Sequence, residues 1–433
     1  MLSKSQRERA FNIIIATQCL GMLTTFLFQN GFYLNYFTKL GFSSSAFALF
    51  AALPALVGGV LILPLAYYSD RFGKLRLALV GQILLIGSLV VMMMAGWGAA
   101  RCAAPLVVAS LLVFCLGSSL QGASWFALLN PIIPPEIRGR FFGRLRVSFL
   151  TVNIVFTTLV SFVMKQTRSM AAFQALLALI LVAHVARYFT YARIPELERE
   201  HRGEHGKRSF WTACAQVFAI PGYLAFNGYV FLITLFTAGV PIVFGLMQKD
   251  VFAFSAAKIM MVGNFFLGGA MVGCALGGRA VDRFGTRAVF LLTHVAYALI
   301  IVSMLARHWA PWPIMGHVVV CSFLFSMTAA IAGVGISSEA LALIPATNKS
   351  LSTAVHMSLI SFGVALSSVF VSRSIGWDML AAEWTLLGRG YTAYDSILLG
   401  FAVLIVLMLA TIGLVPRVVK KARFMPGGGY PRV

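Results

Sequence analysis

Apolar runs of about 20 residues follow one another along nearly the whole chain, separated by short polar turns. A helix of about 20 residues, at about 1.5 Å rise each, spans a bilayer core of about 30 Å. Lipid offers no hydrogen-bond partners, so the backbone of such runs satisfies itself as helix. The strict alternation of a membrane β-barrel is absent from the sequence. The pattern predicts twelve spans near residues 11–37, 43–68, 76–97, 104–129, 143–164, 170–191, 221–246, 253–278, 286–306, 312–343, 350–372 and 393–415. The first run follows Lys4, Arg7 and Arg9 as a leader would. It is too long for a signal h-region and no small-residue cleavage site closes it, so it reads as a retained span.

The longest polar stretch, 192–220, divides the chain into two sets of six spans, 1–191 and 221–415, with a basic tail at 416–433. Phe210 and Trp211 open an amphipathic piece within that linker. The net charge of +21 raises the question of nucleic acid. Its placement argues for membrane orientation instead. Of 34 Lys and Arg, 25 fall on the side of the N-terminus and eight on the other, with Lys258 inside a span. Both termini are therefore expected in the cytoplasm, with the protein multi-pass in the cytoplasmic (inner) membrane. The six cysteines form no CxxC pair and no metal-spaced cluster.

The two halves share sequence. Asp70-Arg71-Phe72-Gly73 recurs 212 positions later as Asp282-Arg283-Phe284-Gly285, and Phe42-Ser43 recurs at the same offset as Phe254-Ser255. Ile133-Pro134 returns as Ile344-Pro345 at an offset of 211. These are parallel repeats, each starting from the same side of the membrane. The expected fold is an all-α membrane protein of twelve transmembrane helices in two six-helix parallel repeats.

The Asp-Arg-x-Gly loop resembles the signature loop of the major facilitator superfamily, Gly-x-x-x-Asp-Arg-x-Gly-Arg-Arg. Gly278, Asp282, Arg283, Gly285 and Arg287 fit it in the second half, and Asp70, Arg71, Gly73 and Lys74 in the first. The first copy departs at Ala66 and Leu75, with Arg76 one place late. Pro134-Pro135-Glu136-Ile137-Arg138-Gly139-Arg140 resembles the family's Arg-Gly loop. The resemblance implies that Asp70, Arg71, Gly73, Lys74, Arg138, Asp282, Arg283, Gly285 and Arg287 form a conformational latch at the cytoplasmic face. On physical grounds, Gly73 and Gly285 suit turns of positive φ, and the aspartates suit pairing with Arg or capping a helix. The Arg of drug/proton antiporters is replaced by Ser118, and span five lacks their Gly-Pro pair, which marks that subclass down.

The resemblance also implies that spans one, four, seven and ten line a cavity. Span one carries Gln18, Met22, Thr25, Gln29 and Tyr33 at a spacing of one helix face. Span four carries Ser118, Gln121 and Trp125, span seven Asn227 and Thr234, span ten Ser322, Ser326 and Ser337. The substrate-binding candidates are Gln18, Thr25, Gln29, Ser118, Gln121, Trp125, Asn227, Thr234 and Ser326. Neutral hydrogen-bonding groups beside an aromatic ring suit a polar neutral solute or an amphiphile. The competing role is helix packing, at about 0.6 kcal/mol per group. Glu339 is a candidate proton carrier, and pairing with Arg283 or Arg287 is its competing role. His184, His294, His317 and His356 are titratable groups within spans that more often serve packing.

These readings point to a secondary transporter, a symporter or uniporter, moving a small organic solute. The alternative is a non-transporting receptor or a lipid or amphiphile translocator on the same scaffold. An enzyme is disfavoured: the sequence offers no metal-ligand spacing, phosphate loop or Ser-His-Asp set. No cofactor, metal or nucleic acid is expected. The partners are the solute and the bilayer, and the protein is expected to be a monomer.

Overall fold

The computed structural model describes residues 3–29, 31–98, 100–129, 132–133, 138–167, 169–197, 217–219, 222–343, 349–377 and 380–414. The amphipathic piece at Phe210, the prolines of the Arg-Gly loop and the basic tail lie outside these residues. The helices are α1 (Lys4–Gln29), α2 (Phe32–Lys39), α3 (Ser44–Phe72), α4 (Lys74–Trp97), α5 (Ala100–Leu129), α6 (Arg138–Gln166) and α7 (Met170–Ala192). They continue as α8 (Tyr223–Thr237), α9 (Val240–Asp250), α10 (Ala256–Leu305), α11 (Ile314–Leu343), α12 (Lys349–Gly376) and α13 (Ala393–Leu414). Among the described residues ten helices are long and apolar enough to cross a membrane. Their outward side chains, such as Ile83, Phe162, Val182 and Leu299, are large, apolar and exposed, as lipid contact requires.

Local chemistry explains where helices begin and break. Ser43, Ser169 and Ser255 cap α3, α7 and α10, each accepting from the backbone N–H three residues on. The expected unbroken first span is corrected: Gly31, at φ 82°, turns the chain between α1 and α2. Tyr33 thus leaves the stripe of span one for a buried aromatic cluster with Phe32 and Phe37. Spans eight and nine are joined in the 50-residue α10, interrupted only at Gly285, with φ 77° and ψ 160°. Gly73 takes φ 89° and ψ 125° between α3 and α4. Both glycines occupy backbone that a Cβ disfavours. The segment before α13, where hydropathy predicts no structure, holds an antiparallel hairpin of β1 (Glu383–Leu386) and β2 (Arg389–Thr392).

In the first half α4 packs on α5, α3 on α5, and α1 between α6 and α7. In the second, α10 packs on α11 and α13, and α8 on α12. Gly269, Gly273 and Gly277, four apart on α10, let α11 approach until a Cβ at Gly273 would collide with the Met327 carbonyl. The two halves meet along α3 against α12 and α6 against α10.

Candidate functional site

On α1, Gln18 is half-buried and Thr25 exposed. Met22 between them joins Leu150 of α6 and Leu267 of α10, so this face of α1 looks into the seam between the halves. The Gln29 side chain lies outside the described residues. On α5, the Ser118 hydroxyl donates to the Cys115 carbonyl at 3.0 Å, and Trp125 meets Tyr191 edge-on at 5.8 Å.

Gln121 turns away from the seam into the first half. Its Nε2 donates to Gln82 Oε1 at 2.5 Å. Gln82 Nε2 donates in turn to the His184 carbonyl at 2.8 Å. Arg187 completes this knot, donating from Nη1 to Gln82 Oε1 at 3.2 Å and from Nε to the Thr17 carbonyl at 3.1 Å. Arg187 is 7% exposed, which corrects its place among the loop charges. Position along the chain puts it near a helix end, but Gly21 leaves room for the guanidinium to turn inward, where a Cβ would strike it. Among the described residues its acceptors are neutral. Thr24 meets His184 Nε2 at 2.7 Å. A buried Arg at this depth is a functional signal by default, and the span boundary concealed it.

In the second half, Asn227 is 1% exposed and Thr234 half-buried. Asn227 Oδ1 lies 2.7 Å from His356 Nδ1, beneath the Phe226 ring. Ser326 on α11 is buried. The candidates therefore do not converge on one point: Gln18, Met22 and Thr25 face the seam, whereas Gln121 and Asn227 hold polar knots inside each half.

The latch residues are described in part. The side chains of Asp70, Arg71 and Arg138 lie outside the described residues. Asp282, Arg283 and Arg287 are exposed, and Arg283 lies over the Phe284 ring. Glu339 is 5% exposed and accepts from Thr286 Oγ1 at 2.9 Å. The start of α4, which holds Gly73 and Lys74, is capped by an unforeseen residue: Leu75 N donates to Glu196 Oε1 at 3.3 Å. Such a carboxylate complements the positive end of the helix.

Two further polar groupings stand at the opposite end. Ser44 Oγ donates to Asp250 Oδ2 at 2.6 Å, Tyr394 OH donates to the same oxygen at 2.5 Å, and Lys249 Nζ lies 3.1 Å from Asp250 Oδ1. This clasp joins the first half, through Ser44, to the second. Beside it Arg307 and Asp395 form a buried bidentate ion pair, Nη2 to Oδ2 at 3.0 Å. A cleft of about 490 Å³ between α1 and α7 is lined by Glu8, Arg9, Asn12, Thr190 and Arg193. None of the substrate candidates lines it.

The family model described as Major Facilitator Superfamily matches residues 10–368. The chain belongs to the major facilitator superfamily. No curated protein matches it. Among solved structures it is similar to a D-xylose–proton symporter, with TM-score 0.72 and 15% identity, covering 94% of this chain and 98% of that one. The xylose transporter XylE from E. coli, partially occluded and inward open, gives TM-score 0.69 at 14% identity, covering 95% and 99%. A mutant of the nucleoside transporter NupG gives 0.68 at 13%, covering 94% and 99%. At these identities the likeness is one of fold. This superfamily member is thus a multi-pass membrane protein of a transporter fold.

Proposed function

We propose that the chain is a secondary transporter carrying a small organic solute across the cytoplasmic membrane by alternating access, with twelve spans in two six-helix parallel repeats. The observation that carries this reading is the seam. The halves meet along two helix pairs, and the end away from the N-terminus is clasped by hydrogen bonds through Ser44, Asp250 and Tyr394. Such contacts are made in one state and broken in another without unfolding either half. Here α1 and α2 form span one, α8 and α9 span seven, and the two arms of α10 spans eight and nine.

The solute site lies between Gln18, Thr25 and Gln29 of span one, Ser118, Gln121 and Trp125 of span four, Asn227 and Thr234 of span seven and Ser326 of span ten. Gln121 and Asn227 exchange their intramolecular bonds for the solute or hold those that touch it. The Asp-Arg loops latch the cytoplasmic end, with Glu339 bracing the second loop through Thr286. Both termini lie in the cytoplasm, because moving Arg187 out of the loop count leaves the basic excess of that side large.

The test is a thermal-shift panel of sugars, nucleosides, carboxylates, amino acids and amphiphilic cations on the purified protein. A ligand at 100 times its dissociation constant stabilises by about 2.7 kcal/mol. A hit that Trp125→Ala and Gln121→Ala both remove supports the site. Stabilisation by lipids alone refutes the small-solute reading in favour of a lipid translocator.

A further inference from the structure

Five histidines lie among the described residues, and their ring nitrogens sort them. His184 has both nitrogens engaged, Nε2 with Thr24 at 2.7 Å and Nδ1 with Gln82 at 3.1 Å, beside the Arg187 cation. His317 accepts from Trp312 Nε1 at 3.1 Å and meets the Ser303 carbonyl at 2.9 Å through Nε2. His294 and His308 each bury an Nε2 with no partner, sealed from any proton donor.

His356 differs. Asn227 Nδ2 donates to the Tyr223 carbonyl at 2.8 Å, which fixes the amide so that Oδ1 is the atom facing the imidazole. A carbonyl oxygen only accepts, so His356 Nδ1 carries the hydrogen and Nε2 keeps its lone pair. Among the described residues that Nε2 has no hydrogen-bond partner and is not one of the atoms sealed by packing, although the residue as a whole is buried, at 4% exposure. The Phe226 ring stacks on the imidazole at 6.1 Å and 9°. A protonated ring donates to Asn227 Oδ1 more strongly than a neutral one. The same stretch of α12 crosses the seam: Val355 packs with Leu63 of α3, and Ser358 Oγ donates to the Gly59 carbonyl at 2.5 Å.

We propose that His356 Nε2 is the proton-binding site of the transport cycle, so that solute movement is coupled to a proton. This rests on the alternating-access reading. The lone pair takes one proton from water on one side, forming an imidazolium between Phe226 and Asn227. It returns that proton to water on the other side once the halves have rearranged, and no other bond changes. A charge at the seam favours whichever state hydrates it, which is how protonation biases the equilibrium. Among the described residues the groups in contact with His356 are Phe226 and Asn227 from α8, with Tyr223 one turn before Asn227, and neither a cation nor a carboxylate is among them. On α11, Glu339 is the nearest carboxylate in sequence to Ala340 and Leu343, which pack in the same region, and it is held by Thr286.

The test uses the full chain in nanodiscs of phosphatidylethanolamine and phosphatidylglycerol, with native cysteines replaced and nitroxides at Lys39→Cys and Thr385→Cys. Distances are read by pulsed electron resonance from pH 5.5 to 8.5. The expected result is two distance populations whose ratio changes with pH, by at most about tenfold per unit for one proton. His356→Gln should abolish the dependence, Glu339→Gln should keep it, and Asn227→Ala should move its midpoint to lower pH. Dependence that survives in a folded His356→Gln overturns the proposal, as does loss in Glu339→Gln alone. Should His356→Gln fail to fold, an unmoved midpoint in Asn227→Ala overturns it. Two populations that pH does not move refute the proton site and leave alternating access standing. One population at every pH, in the parent and in Asp250→Asn alike, refutes alternating access itself.

Discussion

Replacing Asp395 with Leu strips the counter-ion from a guanidinium that has almost no water. The Arg307 and Asp395 side chains are 3% and 0% exposed and pair through both carboxylate oxygens. Asp395 Oδ2 also accepts from Thr392 N at 2.8 Å and Thr392 Oγ1 at 3.0 Å, tying the hairpin to α13. Arg307 lies over the rings of Phe252 and Tyr391, at 5.6 and 5.5 Å. Breaking one side of a buried pair costs about 3–5 kcal/mol, because the remaining charge stays desolvated. Replacing both sides by apolar residues of similar volume is close to neutral. In detergent, Asp395→Leu should lower the melting temperature by on the order of 10 °C. The double variant Arg307→Met/Asp395→Leu should recover most of that loss. A single variant that melts within about 2 °C of the parent, on a scale where 1 kcal/mol shifts a unit the size of one half, about 200 residues, by about 2–4 °C, refutes the reasoning. So does a double variant no better than Asp395→Leu.

Asp250→Asn weakens the clasp, so Ser45→Cys in that background should react several-fold faster with a membrane-impermeant thiol reagent. Asp282→Asn, which weakens the opposite end, should slow that reaction; equal rates in all three proteins would remove both gates. Gly273→Leu places a side chain where the Met327 carbonyl stands, and should abolish the monodisperse gel-filtration peak, whereas Gly278→Leu, with open space around it, should not.

The sequence alone determined the class of this protein, because its two signals are local. Hydropathy over about 20 residues reports whether a helix can sit in lipid, and the Asp-Arg-x-Gly loops are short enough to survive as text in both halves. The positive φ at Gly73 and Gly285 was legible for the same reason: only glycine tolerates that backbone without cost. The stripe of Gln18, Met22 and Thr25 was legible from helical spacing, whose period is set by the backbone.

Only the tertiary structure decided which polar groups are spent on one another. Gln121 sits in the same stripe as Ser118, yet its amide is committed to Gln82, 39 residues away in sequence. By its position in the sequence Arg187 reads as a loop charge, yet Thr17 and Gln82 receive it inside the bundle. The pairings Arg307 with Asp395 and Ser44 with Asp250 likewise join residues 88 and 206 positions apart. A one-dimensional pattern records which face of a helix a residue occupies. It does not record what stands opposite that face, and in a membrane interior the partner decides whether a polar side chain packs, binds or carries charge.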